Sequence, residues 1–212
     1  MKKKKVPLAT IPRLSLYYRA LMERSDTQLI SSQELAGLSG TSAAQVRKDL
    51  AYFGQFGAAG KGYRADFLKS SISRILGVDK DWSVALVGIG NLGSALLSYK
   101  GFLRQGFHIV AAFDNDVEKI GKNFAGIVIQ DIAALEDEIR RKKIKMAVVT
   151  VSQEAAQEVT DKLVKYGVKA ILNFAPLRPG APKGVEVHSI DLSIELEKLA
   201  FFLSQRTKSR GQ

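Results

Sequence analysis

The sequence predicts an α/β protein with an N-terminal winged-helix domain, a Rossmann-type parallel-sheet domain and a C-terminal helix. Three observations predict it. Residues 1–80 hold 14 Lys/Arg against 6 Asp/Glu, whereas residues 81–205 hold 15 of each. Short helical patterns and a glycine-rich interruption fill the first stretch, while β-branched apolar runs alternate with helical patterns in the second. The run Gly88-Ile-Gly-Asn-Leu-Gly93 closes the first of those apolar runs. The predicted boundaries are 1–80, 81–190 and 191–212.

In the front domain, Leu14, Tyr17, Tyr18 and Leu21 recur at helical spacing over 11–24. Ser31-Ser-Gln-Glu34 spells a capping box ahead of a helix that Gly40 stops, and Ser42-Ala-Ala-Gln45 spells a second one. Helix, glycine turn and second capped helix make a helix-turn-helix layout. Glycines 54, 57, 60 and 62 then sit among aromatics, a density that favours a hairpin over a packed helix. A hairpin directly after a recognition helix is a wing. A helix over 66–76 follows, with Leu68, Ile72, Ile75 and Leu76 on one face.

Beyond residue 81, strands are predicted at 82–88, 107–114, 126–130, 145–151, 169–174 and 185–190, with helices at 91–104, 132–143 and 153–166. Alternating β and α with apolar strands means a parallel sheet covered on both faces. A strong helix runs over 191–206. The chain has no cysteine, which excludes disulfides, thiolate metal sites and cysteine nucleophiles and fits a reducing cytoplasm. No apolar segment approaches the roughly 18–20 residues a bilayer requires. The basic start lacks the apolar run of a secretory signal, so the expected location is cytoplasmic.

The glycine run lies between the strand Trp82-Ser-Val-Ala-Leu-Val87 and a helix. Gly88 permits the turn, Gly90 lets backbone approach a pyrophosphate, and Gly93 lets helix pack on strand. Asn91 and Leu92 open the helix, whose first N–H groups face the phosphates. Asp114 ends the second strand 21 residues after Gly93, where a carboxylate accepts the adenosine ribose hydroxyls and repels a 2′-phosphate, favouring NAD(H) over NADP(H). Hydride transfer also needs an acid or base at the nicotinamide. His108 and His188 are the two histidines; one starts a strand and the other alternates within one. No stretch is left for a substrate domain, so the site reads as binding without turnover.

In the helix Gln45-Val-Arg-Lys-Asp-Leu-Ala-Tyr52, Gln45, Arg47, Lys48 and Tyr52 project away from Val46 and Leu50. Arginine and glutamine read guanine and adenine edges. The helix N-terminus at Ser42 and the lysines suit phosphates, and Lys61 and Arg64 place charge on the wing.

These residues resemble the Rex family of redox-sensing transcriptional repressors over nearly the whole chain. The resemblance rests on Ile11-Pro-Arg-Leu-Ser15, Gln45 to Gly54, Gly60-Lys-Gly-Tyr63, Val87 to Ala95, Phe113-Asp-Asn-Asp116 and Asn173-Phe-Ala-Pro176. It implies a homodimer in which the C-terminal helix is exchanged between subunits, and the apolar stripe Leu192, Leu196, Leu199, Leu203, widened by Ile194, Phe201 and Phe202, agrees. It also implies competitive binding of NADH and NAD⁺ as sensed ligands, no small-molecule substrate, and release of an inverted-repeat operator by NADH. The resemblance adds Val151, Asn173, Phe174, Ala175 and Pro176 to the cofactor site and puts Tyr99 near the nicotinamide. Asp191 is implied to pair with Arg13 of a second copy when DNA is bound and with Tyr99 when NADH is bound. Two departures stand out: Ala59 where the family wing is often basic, and Lys100 where proline is expected. Two other classes fit the residues less well. One is a small NAD-dependent oxidoreductase with a basic extension; the other is a nucleotide-sensing domain whose basic part docks on a protein.

Overall fold

The computed structural model describes residues 6–24, 29–58 and 61–209. The lysine run 2–5, the wing-tip residues Ala59 and Gly60, and the side chains of the basic tail from Arg206 lie outside the described residues. The chain divides into two compact units, residues 1–80 and 81–212.

In the first unit, α1 (Thr10–Met22), α2 (Ser32–Ser39), α3 (Ala43–Leu50) and α4 (Ala65–Leu76) surround a small antiparallel sheet. That sheet comprises β1 (Leu29–Ile30), β2 (Gly57–Ala58) and β3 (Gly62–Arg64), with β3 central. Ser31 and Glu34 make the full capping box at α2, and Gly40 ends that helix in the left-handed region. The box expected at α3 is half made. Ser42 accepts from the Gln45 N–H, but the Gln45 side chain, which would have to accept from the Ser42 N–H to close the box, instead donates its Nε2 to the Asp49 carboxylate. Leu14, Tyr17 and Leu21 of α1, Leu35, Val46, Leu50, Leu68 and Ile72 pack around Ile30. Gly62 has φ +73°, and a Cβ there would stand 2.7 Å from the Ile30 carbonyl oxygen, so β3 reaches β1 only as glycine.

The second unit is built on β4 (Trp82–Val87), β5 (Phe107–Asp114), β6 (Asn123–Phe124), β7 (Ile127–Asp131), β8 (Met146–Val149), β9 (Ala170–Asn173) and β10 (Glu186–Ser189). Their order in the sheet is β10-β9-β8-β4-β5-β7-β6, parallel except at the β6 edge. Without β6 this is the Rossmann order, which reverses between β4 and β8. Phe113, Val87 and Val149 face one apolar layer, and Leu86, Ala112 and Val148 the other. The crossovers are α5 (Asn91–Leu97), α6 (Lys100–Arg104), α7 (Leu135–Arg141) and α8 (Gln153–Lys165).

Three details correct the sequence expectation. The sheet has seven strands among the described residues, because β6 pairs with β7 across a two-residue turn in which Ala125 and Gly126 both have positive φ. The helix expected over 91–104 is two helices, broken where Tyr99 is extended (φ −78°, ψ 100°). Lys100, where proline is expected, is the first residue of α6, a position at which proline is favoured because the N–H there needs no intrahelical acceptor. The segment expected as a helix over 132–143 starts with a 3₁₀ turn, Ile132–Ala134, before α7.

The chain ends in α9 (Leu192–Ser209). Its side chains are exposed from Leu192 through Gln205. Leu196 and Phe202 are 67% and 63% exposed, so the apolar stripe has no cover within the chain.

Candidate functional site

The glycine loop sits where β4, β5 and β8 end. Gly88 has φ +91°, and a Cβ on it would lie 2.8 Å from the Thr150 carbonyl oxygen. A Cβ on Gly93 would meet the Gly88 carbonyl oxygen at 2.0 Å, whereas one on Gly90 would meet nothing within 4 Å. The outer glycines are therefore demanded by packing, and the middle one leaves open space on the loop's surface. Gly90 caps α5, and Asn91 and Leu92 are exposed at its start, where the first amides have no intrahelical acceptor. Thr150 Oγ1 donates to the Gly88 carbonyl at 2.6 Å and fixes the turn. Sequence reasoning missed Thr150, which carries no motif; a hydroxyl beside the switch point was its sole signal.

Asp114 ends β5 and is 7% exposed. Its Oδ2 accepts from the Ile89 N–H at 2.6 Å and from Lys119 Nζ at 3.3 Å, and its Oδ1 from the Asp116 N–H at 2.9 Å. Burial pushes this carboxyl up. The two backbone N–H groups and Lys119 outweigh that and hold it below the ordinary Asp value. A carboxylate offers about four acceptor positions. Three are filled, so one acceptor position is left.

The segment from Asn173 to Pro176 leaves β9 at the same end of the sheet. Asn173 is fully buried, and its Nδ2 donates to the Ala175 and Leu177 carbonyls and to Ser189 Oγ, while its Oδ1 accepts from the Ala175 N–H. It shapes the loop, leaving Phe174 half-buried and Pro176 exposed; Val151, after β8, is half-buried. Tyr99 stands at the far end of α5 from the glycine loop. Its ring meets Phe102 edge-on at 5.1 Å and lines a cleft of about 440 Å³ with Phe107, His108 and Ile127. His108 pairs with Asp81 at 2.9 Å, at the β5 end remote from the loop. His188 is exposed in β10.

In the first unit, α3 presents Gln45, Arg47 and Lys48, with Val46 and Leu50 buried beneath. Tyr52 follows the helix and is half-buried. Arg47 donates to Ser32 Oγ at 2.8 Å, tying α3 to α2. Arg64 forms an ion pair with Asp66, and Lys61 is exposed. The residue sequence reasoning missed is Asp49. It is fully buried and accepts from Arg13 Nε at 2.6 Å, Arg13 Nη2 at 2.7 Å, Gln45 Nε2 at 2.7 Å and Tyr17 Oη at 3.0 Å, with Thr10 Oγ1 at 3.3 Å. Its signal was legible: Val46, Asp49 and Leu50 share one face of α3, which puts a carboxylate in an apolar stripe. Arg13, expected to meet Asp191 of a second copy, is thus held bidentately within its own chain. Asp191 Oδ1 accepts from the Ser193 N–H at 2.9 Å at the start of α9.

A winged-helix unit and a Rossmann unit with an open glycine loop in one chain define a nucleotide-responsive transcription regulator. Residues 5–51 match a family described as putative DNA-binding protein N-terminus, and residues 79–177 match the CoA binding domain. The redox-sensing transcriptional repressor Rex of Pelotomaculum thermopropionicum is 46% identical over all of both chains. That of Desulfitobacterium hafniense is 47% identical over 97% of this chain and 99% of its own. The crystal structure of RSP in complex with β-NAD⁺ and operator DNA superposes with a TM-score of 0.91 at 35% identity, covering 99% of each chain. RSP in complex with β-NADH gives 0.85 at 33% identity, covering 98% of this chain and 99% of that one. The chain belongs to the Rex family of redox-sensing transcriptional repressors.

Proposed function

We propose that this protein is a dimeric repressor that binds an inverted-repeat operator through α3 and the wing and leaves it when NADH occupies the glycine loop. The observation that carries the reading is the loop itself: packing demands Gly88 and Gly93, while Gly90 faces open space beside a carboxylate with one free acceptor position. The solved complexes of RSP, one with β-NAD⁺ and operator DNA and one with β-NADH, support it.

In this reading Gly88, Gly90, Asn91, Leu92 and Gly93 take the pyrophosphate, Asp114 takes one ribose hydroxyl, and Val151 with residues 173–176 bounds the nicotinamide end. Ser42, Arg47, Lys48, Tyr52, Lys61 and Arg64 meet DNA, and Gln45 adds its free amide oxygen. The exposed stripe of α9 joins two copies. Arg13 keeps a role in switching, because a guanidinium has two forked edges. Asp49 occupies the Nε/Nη2 edge and Nη2 also donates to Thr10 Oγ1 at 3.4 Å, which leaves Nη1 for Asp191 of a second copy. Tyr99 is the alternative partner of that Asp191. In this reading the nucleotide site binds without turnover, and the protein works in the cytoplasm. Among the described residues no helix is long and apolar enough to cross a membrane.

An operator mobility shift at fixed total nucleotide and varied NADH/NAD⁺ ratio tests this. Operator release should track NADH, and operator should weaken NADH binding by the same factor as NADH weakens operator binding. Equal NADH affinity with and without operator overturns the mechanism.

A further inference from the structure

Lys119 has no part in the assignments above, yet its ammonium lies 3.3 Å from Asp114 Oδ2 and 3.3 Å from Asp116 Oδ2. The three side chains form one charged cluster at the end of β5. They are tied to the glycine loop through the Ile89 N–H on Asp114. Asp116 Oδ1 also accepts from the Glu118 N–H, which fixes the second carboxylate. In a Rossmann site the end of this strand is where the adenosine ribose lies, and where a 2′-phosphate is rejected or accepted.

An acid in this place is ordinarily read as sufficient to exclude the phosphate. Here the acid is buried and carries a lysine on one of its oxygens. The charge that an incoming 2′-phosphate meets is the sum of two carboxylates and one ammonium, a net of one negative charge. Lys119 and Asp116 are 36% and 40% exposed, so both face solvent from which a nucleotide arrives.

We propose that the preference for NAD(H) over NADP(H) is set by the summed charge of Asp114, Lys119 and Asp116, with Lys119 as the residue that tempers the exclusion. The proposal rests on the glycine loop being an NAD(H) site. A unit charge about 4 Å from another in a water-like medium changes affinity by roughly fivefold, so for a phosphate bearing close to two charges the change is on the order of tenfold or more.

Calorimetric titration of the full chain with NADH and with NADPH provides the test, read as the ratio of the two Kd values. Lys119→Met should raise the NADPH/NADH ratio on the order of tenfold, Asp116→Asn should lower it by a similar factor, and Lys119→Arg should leave it unchanged. Both shifts should shrink in 0.5 M salt, where the Debye length falls to about 4 Å. A ratio that stays within about twofold in Lys119→Met and Asp116→Asn overturns the proposal, as does a shift in one alone. Wild-type protein that binds neither nucleotide overturns the underlying NAD(H) reading instead, a result the variant ratios cannot imitate.

Discussion

Asp49 and Asp114 are the two buried charged side chains among the described residues, one in each unit. In both, burial pushes the carboxyl up and hydrogen bonds more than reverse it. They differ in what does the reversing. Asp49 is surrounded by side chains from α1 and α3, and its acceptor positions are full. Asp114 is held mostly by backbone N–H groups of its own turn and the glycine loop, and one position is left over. A saturated carboxylate is a joint between helices. An unsaturated one, beside a loop with open space, has an acceptor position left for a ligand. The difference teaches that a buried acid declares a ligand site only when its acceptors outnumber its donors.

The largest expected effect comes from breaking the joint. Asp49→Ala leaves the Arg13 guanidinium facing Tyr17 and Gln45 without its counter-charge, and removing one partner of a buried pair costs about 3–5 kcal/mol. Amide hydrogen exchange should report that loss as reduced protection in α1 and α3, with β4 and α8 unchanged. Equal loss in both units would break the comparison, because Asp49 would then not be a local joint. The pH dependence has a definite sign. The carboxyl of Asp49 lies lower in the folded chain than its ordinary value, so its contribution is complete above about pH 4 and disappears as pH falls through the folded value. In Asp49→Asn the acid-induced loss of protection in α1 and α3 should be shallower than in the wild type.

A smaller effect is expected at the receptor. In the proposed site, Asp114→Ala removes one charge-assisted hydrogen bond to the ribose, and it frees the Ile89 N–H. A hydrogen bond to a charged group is worth about 1.5–3 kcal/mol. NADH and NAD⁺ affinities should therefore both fall by roughly 10- to 100-fold, since the adenosine end is common to them. Fluorescence titration of NADH and competition by NAD⁺ measure this. Unchanged affinity for either form removes Asp114 from the receptor.

The same contrast explains what was legible in the sequence. Glycine spacing, the strand before it and Asp114 after it all lie between Trp82 and Asp114, so local spelling carries the Rossmann signal. Ser31 and Glu34 likewise show their capping box in four letters. Asp49 makes its bonds to Arg13 and Thr10 across 36 and 39 residues, and no local pattern announces those partners. The two-residue strands β1 and β6 are too short for alternation to register, and the β6–β7 turn uses Ala125-Gly126 in place of the Asn-Gly that would mark it. The break at Tyr99 was hidden because Ser98 to Arg104 has helical spacing. At the break the Tyr99 ring lies on Gly101, a position that a larger side chain could not share with it.

The smallest effect is expected at Gln45, the residue that belongs to both sides of the comparison. Its Nε2 donates to Asp49, which orients the amide with nitrogen inward, since a carboxylate only accepts. The carbonyl oxygen then points away from Asp49 and can accept from an exocyclic amine, adenine N6 or cytosine N4, in the major groove. Gln45→Ala therefore removes one of the donors on Asp49 and one acceptor at the DNA face. The structural loss should be about 1 kcal/mol, because Arg13 and Tyr17 remain on the carboxylate. Operator affinity should fall by roughly tenfold while affinity for random DNA stays the same, since the lost contact is to a base. Lys48→Ala should do the reverse, weakening both DNAs and reducing the salt slope by about one. If Gln45→Ala weakens both DNAs equally, the amide is a strut like Arg13, and base reading by α3 falls to Arg47.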